Sequence, residues 1–346
     1  MTNPTQPPVE QPGVAEQLAM FYVHLKEAEV LEETAAVATT YAIQAKLLSL
    51  TRWVAVGWIK EIGSLDKRAK PAQLARLMPE LRHRLKASVV NPRPTLLDWA
   101  SKALRMGVAQ AKREIGSHIA LSSTLGVDSQ AAALKAQLNV EDRFKRADRV
   151  LAVIQGDTHS DVMQGVAVAH GAIGDVERAA RWITNRELSN GTAQVASRLN
   201  AGLLWVAERD ACVHCLAYSG VIAEPGQVFP PDLTFGAHAL TPWPNGVLDR
   251  PPLHVNCRCR VTPWLGGDTA LPEAMKREAR RSILKGWSSE SEPNSTRLDA
   301  ADRLLRKGAN LPKTVEQQAR AAVRKGHFAS RTVPNTGNVT KTDEKG

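Results

Sequence analysis

Cys212-Val213-His214-Cys215 and, about forty residues later, His254-Val255-Asn256-Cys257-Arg258-Cys259 hold all four cysteines of a 346-residue chain. Four thiols scattered at random would rarely gather so closely. A C-x-x-C turn facing an H-x-x-C-x-C run offers five soft or borderline donors, enough to hold one tetrahedral ion. The set favoured by this spacing is Cys212, Cys215, Cys257 and Cys259, with His254 a fifth candidate or a replacement for one sulfur. Arg258 and Arg260 are expected to lower the thiol pKa values and keep thiolates ready for metal. A closed four-donor shell leaves no open position, so the expected role is structural, with Zn2+ as the ion. Two disulfides, or four unpaired thiols, stay open as alternatives. The N-terminus lacks the basic-then-apolar pattern of a secretion signal, so the thiols are expected to start in a reducing cytoplasm, which favours ligation. No βαβ pattern surrounds the C-x-x-C, which disfavours a redox role.

The cysteines sit in a segment unlike its surroundings. Between Gly220 and Pro263 prolines and glycines are frequent, apolar runs are short and helical period is weak, which predicts a loop-rich module with a small hairpin at most. On either side the pattern is helical. Leu18, Tyr22, Leu25, Ala28 and Leu31 open a long helix from Val14 to Ile62, with Gly57 expected to kink it and Gly63 to end it. Pro71 suits the first turn of a helix to Ala87, striped by Leu74, Leu77, Leu81 and Leu85. Thr95 is expected to cap a helix from about Leu96 to Gly116. Amphipathic segments follow at 129–138 and 141–154, then helix from Asp157 to Glu208. Beyond the module, helices are expected at Pro272–Trp287, Thr296–Lys307 and Thr314–Lys325. The fold class is therefore mainly α: an extended helical N-terminal region, a small loop-rich Cys/His-stapled module and basic C-terminal helices. The divisions drawn are a disordered Pro-rich arm (1–13), the helical region (14–154), the module with its leading helix (155–265), the basic helices (266–330) and a disordered tail (331–346).

Lys and Arg total 45 against 35 Asp and Glu, a net charge of +10. From 266 to 346 alone, 16 basic residues stand against 10 acidic ones. Lys276, Arg277, Arg280, Arg281 and Lys285 on the first C-terminal helix could contact double-stranded DNA phosphates without reading sequence; a solvated, non-specific helix face is the competing reading. The most apolar stretch, Ala35 to Trp58, is interrupted by Lys46 and Arg52, so no membrane span is expected.

Trp205, Asp210-Ala211-Cys212-Val213-His214-Cys215, Tyr218-Ser219-Gly220 and then Pro251-Pro252-Leu253-His254-Val255-Asn256-Cys257-Arg258-Cys259 together resemble the signature of the phage head morphogenesis proteins, the Mu F-like minor head proteins of tailed bacteriophages. The likeness covers about residues 155 to 265, with Thr184-Asn185-Arg186 weakly similar to the region ahead of the first cysteine. It departs in two places: Val255 stands where family members often have Pro, and the connecting loop is long. Neither touches a candidate donor. The resemblance implies a non-enzymatic, low-copy minor capsid protein inside the virion head. It would act with the portal and with capsid or scaffold proteins during assembly in the host cytoplasm, beside packaged DNA.

Two other readings stand beside it. His254-Val255-Asn256 next to cysteines is also compatible with a zinc-stapled HNH-like DNA nuclease, though His214 and His238 lack a flanking strand-helix pattern. A basic DNA-binding accessory protein outside any particle is the other. Gly156-Asp157-Thr158-His159-Ser160-Asp161 resembles part of a metallophosphoesterase ligand set, but helix capping by Asp157 or Thr158 explains it better. No P-loop occurs, which argues against a packaging ATPase.

Overall fold

The computed structural model describes residues 13–116, 126–154, 156–231, 233, 235, 247–267, 269–289, 291–329 and 332–333. The architecture is mainly helical, with a small three-stranded sheet whose outer strands bracket most of the loop-rich segment. In chain order the elements are α1 (Val14–Ile62), α2 (Pro71–Ala87), α3 (Arg93–Glu114), α4 (Gln130–Ala152), α5 (His159–Arg198), β1 (Gly202–Val206), α6 (Val213–Tyr218), β2 (Ile222–Ala223), β3 (Arg260–Trp264), α7 (Ala270–Lys285), α8 (Asn294–Arg306) and α9 (Lys313–Lys325).

Several boundaries differ from the sequence reading, each for a local reason. Helix α1 runs unbroken through Gly57, against whose missing side chain Leu77 packs, and ends at Gly63 in the left-handed region (φ +98°). Helix α3 starts before Thr95: the Asn91 side-chain oxygen accepts from the Arg93 N–H at 3.0 Å, and Pro94 is tolerated in the first turn. The two segments expected near 129–154 are one helix, α4, since Val140 between them is fully buried and nothing breaks the turn. The helix expected to reach Glu208 stops at Arg198. Asn200 takes φ +51°, and the β-prone run Leu203-Leu204-Trp205-Val206 continues as a strand, which places Trp205 in β1. Of the two terminal segments expected to be disordered, 1–12 and all of 331–346 but 332–333 lie outside the described residues.

The chain folds into two compact units that do not follow the consecutive divisions drawn from composition. One comprises residues 31–102 and 127–184. Its core is built from Ile43, Leu47, Leu50, Val54 and Trp58 of α1, Leu77, Leu81 and Leu85 of α2, Val140, Phe144 and Leu151 of α4, and Val162 and Val166 of α5. These recur at three- and four-residue steps, so each helix buries one stripe. Arg82 forks onto Asp148 (2.6 and 3.0 Å) and ties α2 to α4 at the rim.

The other unit comprises residues 1–30, 103–126 and 185–346. It holds an antiparallel sheet of order β2-β1-β3, with Trp205 opposite Val261 and Val206 opposite Arg260. Alternation along β1 sorts its side chains to two faces. Leu204 and Val206 pack with Phe21, Tyr22 and Leu25 of α1 and Leu271 and Met275 of α7, whereas Trp205 joins the core that contains the cysteines. Within this unit α3 and α5 cross at Gly107 and Gly191. A Cβ on Gly107 would lie 2.0 Å from the Leu188 carbonyl oxygen, and one on Gly191 would lie 2.2 Å from that of Leu104.

A buried carboxylate joins α1, α3 and β3. Glu114 Oε1 accepts from Arg260 Nη2 (2.5 Å) and lies 2.6 Å from His24 Nδ1, while Oε2 accepts from the Thr262 hydroxyl (2.6 Å). Burial pushes this carboxyl up, but Arg260, His24 and Thr262 outweigh it and hold it below the usual carboxylate range. Such a group stabilises the fold above its unfolded pKa of about 4.3, and that contribution is lost as pH falls through the lower folded value. Glu114→Ala should cost about 3–5 kcal/mol in urea unfolding, because Arg260 is left charged and buried. Glu114→Gln should flatten the loss of stability below about pH 4; an unchanged acid limb in the stability–pH curve would contradict this account of Glu114.

Candidate metal centre

Two tight turns present the donors. Cys212 is the N-cap of the short helix α6, where its sulfur accepts from the Cys215 N–H at 3.4 Å, so the C-x-x-C pair points its sulfurs to one side. In the second turn the Cys257 N–H donates to the His254 carbonyl at 3.0 Å, three residues back. Cys259 follows on the way into β3.

The five donor atoms fall into two groups that share Cys215. Cys212, Cys215 and His254 form one and Cys215, Cys257 and Cys259 the other; within each, all donor atoms lie within 4.8 Å of one another. His254 Nε2 is 3.2 Å from Cys212 Sγ and 3.1 Å from Cys215 Sγ, and the sulfurs of Cys215 and Cys257 are 3.7 Å apart. The sequence-favoured set of four sulfurs is thus not a separate group, and His254 stands among the donors. All four thiols are free, so the disulfide alternative is not what the structure contains.

These residues could hold a metal ion. Tetrahedral zinc with bonds of about 2.3 Å to sulfur sets sulfurs about 3.8 Å apart, close to the Cys215–Cys257 separation. It would set nitrogen and sulfur about 3.5 Å apart, so His254 would move back by a few tenths of an ångström. Cys215, Cys257 and Cys259 are buried and Cys212 is half-buried, which leaves little room for a solvent ligand. The donor chemistry is soft and closed, suited to a structural staple.

Electrostatics favour thiolate at Cys212 and Cys257, whereas contact with Cys212 and Cys257 pushes the Cys215 thiol up and burial pushes Cys259 up. Hydrogen bonding from Cys215, then contact with His254, pulls the Cys212 thiol down to about 4 against its burial. Burial lowers His254, but the Cys212 and Cys257 sulfurs raise it to about 9. The expectation that Arg258 and Arg260 serve the thiols is corrected by their geometry: both guanidinium groups are committed to carboxylates. Arg258 bridges Glu208 (2.6 Å) and Asp210 (2.9 Å), and Arg260 is bound to Glu114 and to Gln110 (2.9 Å). Burial, reinforced by the neighbouring Asp210 and resisted by Arg258, pushes Glu208 up to about 8.

Supporting residues that composition did not single out complete the site. The Asn185 amide donates to the Cys259 carbonyl at 3.0 Å, and Arg186 forks onto Asp249 (2.8 and 3.0 Å), anchoring the second turn to α5. The Thr184-Asn185-Arg186 stretch was the one sequence signal for this. The Glu292 carboxylate accepts from the Val213 N–H at 3.1 Å. Trp205 lies fully buried against Tyr218 and Phe229, with ring centroids 4.9 and 5.0 Å away, and the Tyr218 hydroxyl donates to the Pro230 carbonyl. Gly220 turns the chain at φ +78° where a Cβ would meet the Pro272 carbonyl oxygen at 2.4 Å.

The five basic residues expected to meet DNA do not form one open row. Lys276 pairs with Glu273 (2.9 Å), Arg281 lies over the Trp287 ring, Lys285 donates to Gln318, Arg280 is half-buried and Arg277 is exposed. More open cations lie on α8 and α9 and just beyond α8, namely Arg303, Lys307, Arg320, Arg324 and Lys325. His214, one of the two histidines weighed for a nuclease, is half-buried; His238 lies outside the described residues. Asp161 accepts from the Thr158 N–H and hydroxyl, a local cap at the start of α5. No helix among the described residues is long and apolar enough to cross a membrane.

No protein-family model, no curated protein and no solved structure matches this chain.

Cys215 is the donor common to both groups, so Cys215→Ser should abolish metal retention, whereas the wild-type chain should carry about one ion per chain by elemental mass spectrometry. Chelation of the wild type should lower its melting temperature by several degrees; retention of a full ion by the Cys215→Ser chain would refute the shared-donor geometry.

Proposed function

We propose that this chain is a minor head protein of a tailed bacteriophage, a non-enzymatic component acting with the portal and with capsid or scaffold proteins in head assembly. A single observation supports the reading. The residues that carry the resemblance to the Mu F-like proteins meet in space as one small core: Cys212, Cys215, His254, Cys257 and Cys259, with Trp205 and Tyr218 packed beside them. In this reading the staple is zinc, and its role is to tie the two turns of a loop-rich segment together. The basic helices α7, α8 and α9 would then face packaged DNA non-specifically, more through the exposed cations of α8 and α9 than through α7. The protein would sit in the head interior after assembly in the host cytoplasm.

A zinc-stapled nuclease is the less favoured alternative because of where His254 lies. Its Nε2 is within 3.2 Å of two sulfurs, a donor's position and not that of a general base open to water.

Quantitative mass spectrometry of purified procapsids and virions of a phage producing this chain tests the proposal. A few copies per particle are expected, and absence from both particles would end it. Cys257→Ser should unfold the stapled segment and remove the protein from heads. Normal incorporation of that variant would show that assembly does not depend on the staple.

A further inference from the structure

From Thr34 to Ile59 helix α1 carries no acidic residue, and its only charges are Lys46 and Arg52. Its inner side, from Ile43 to Trp58, is in the core of its unit. The opposite side is apolar as well. Val37, Tyr41, Leu48, Val56 and Ile59 are all exposed, Tyr41 at 70% and Val56 at 65%. At 100° per residue these five share an arc of about 100° with Thr34, Ala38, Ala45, Arg52 and Ala55. The arc is a continuous stripe roughly 38 Å long, more than three and a half heptads, the length at which a helix pair becomes worthwhile. Contiguous exposed apolar surface of this kind marks an interface.

The stripe is complementary to itself when reversed. About a point between Lys46 and Leu47, Thr34 matches Ile59, Val37 matches Val56, Ala38 matches Ala55, Tyr41 matches Arg52 and Ala45 matches Leu48. We propose that this face of α1 pairs with the same face of a second copy, antiparallel, about a two-fold axis at that point. All ten stripe positions then find a partner, as an isologous contact requires. Leu48 of each copy enters the gap left by Ala45 of the other, and small Ala38 and Ala55 let the helices approach closely. Each Tyr41 ring receives Arg52 of the other copy, a cation–π contact made twice. Parallel pairing would instead set Arg52 against Arg52. An acidic partner would find one cation among ten stripe residues. A lipid surface would have to accept Arg52 in the middle of the apolar arc. This inference uses residues of a single unit and is independent of the proposed head function.

Sedimentation velocity of the full chain at micromolar concentration should give a dimer, and Leu48→Glu should raise the dimer Kd at least about tenfold. Leu48 is exposed, so circular dichroism of that variant should match the wild type. Mixing Ala38→Cys chains with Ala55→Cys chains under mild oxidant should yield a crosslinked pair that neither variant, nor the wild type, forms alone. A monomeric wild type, a mass unchanged by Leu48→Glu, or crosslinking of Ala38→Cys with itself would each overturn the proposal.

Discussion

A carboxylate removed from water has to be compensated where it lies, and Glu114 is compensated from three directions. His24, Arg260 and Thr262 come from segments about 90 and 150 residues away in sequence, so one buried charge fixes the meeting of α1, α3 and β3. Arg260 directly follows Cys259, so the ion pair also sets the depth at which the last thiol enters the core. A one-residue slip of β3 would turn Arg260 away from Glu114 and its buried side chains to the wrong face, so the charge pair and the apolar packing specify the same register.

The stapled segment shows why such an anchor is needed. Among the described residues between Ala201 and Arg260, regular structure amounts to two short strands and one short helix. Its largest buried side chains are Trp205, Tyr218 and Phe229; the pairing of β1 with β3 joins its two ends, and sulfur and imidazole bring its two turns together. Asn185 and Arg186 hold the second turn from α5, and Glu292 holds the first from beyond α7. The donors are thus oriented by groups that do not touch them, as in metal sites generally.

Much of the helical framework was legible because a helix buries one stripe and the stripe shows in the sequence. Leu77, Leu81 and Leu85 are core residues at the spacing that suggested them. The errors fell where local and distant forces differ. Trp205 reads as an apolar helical position until Asn200 adopts a left-handed conformation and its strand finds partners at residues 222 and 260–264. The cysteine cluster was legible from spacing in the sequence, whereas the division of donors around Cys215 was not, since it depends on side-chain directions at two turns. Arg258 and Arg260 were assigned to the thiols because they are neighbours in sequence. Their carboxylate partners, Glu208, Asp210 and Glu114, lie in segments that sequence could not pair with them.

The two compact units are interleaved along the chain, which passes between them four times, three of those times within α1, α3 and α5. Synthesis therefore delivers their parts in an uneven order. The unit ending at Thr184 has its whole sequence while the other still lacks everything from Asn185 onward. Residues 14–30 precede their partners in β1 and α7 by a long stretch of chain, so Phe21, Tyr22 and Leu25 stay unburied until those partners have been made.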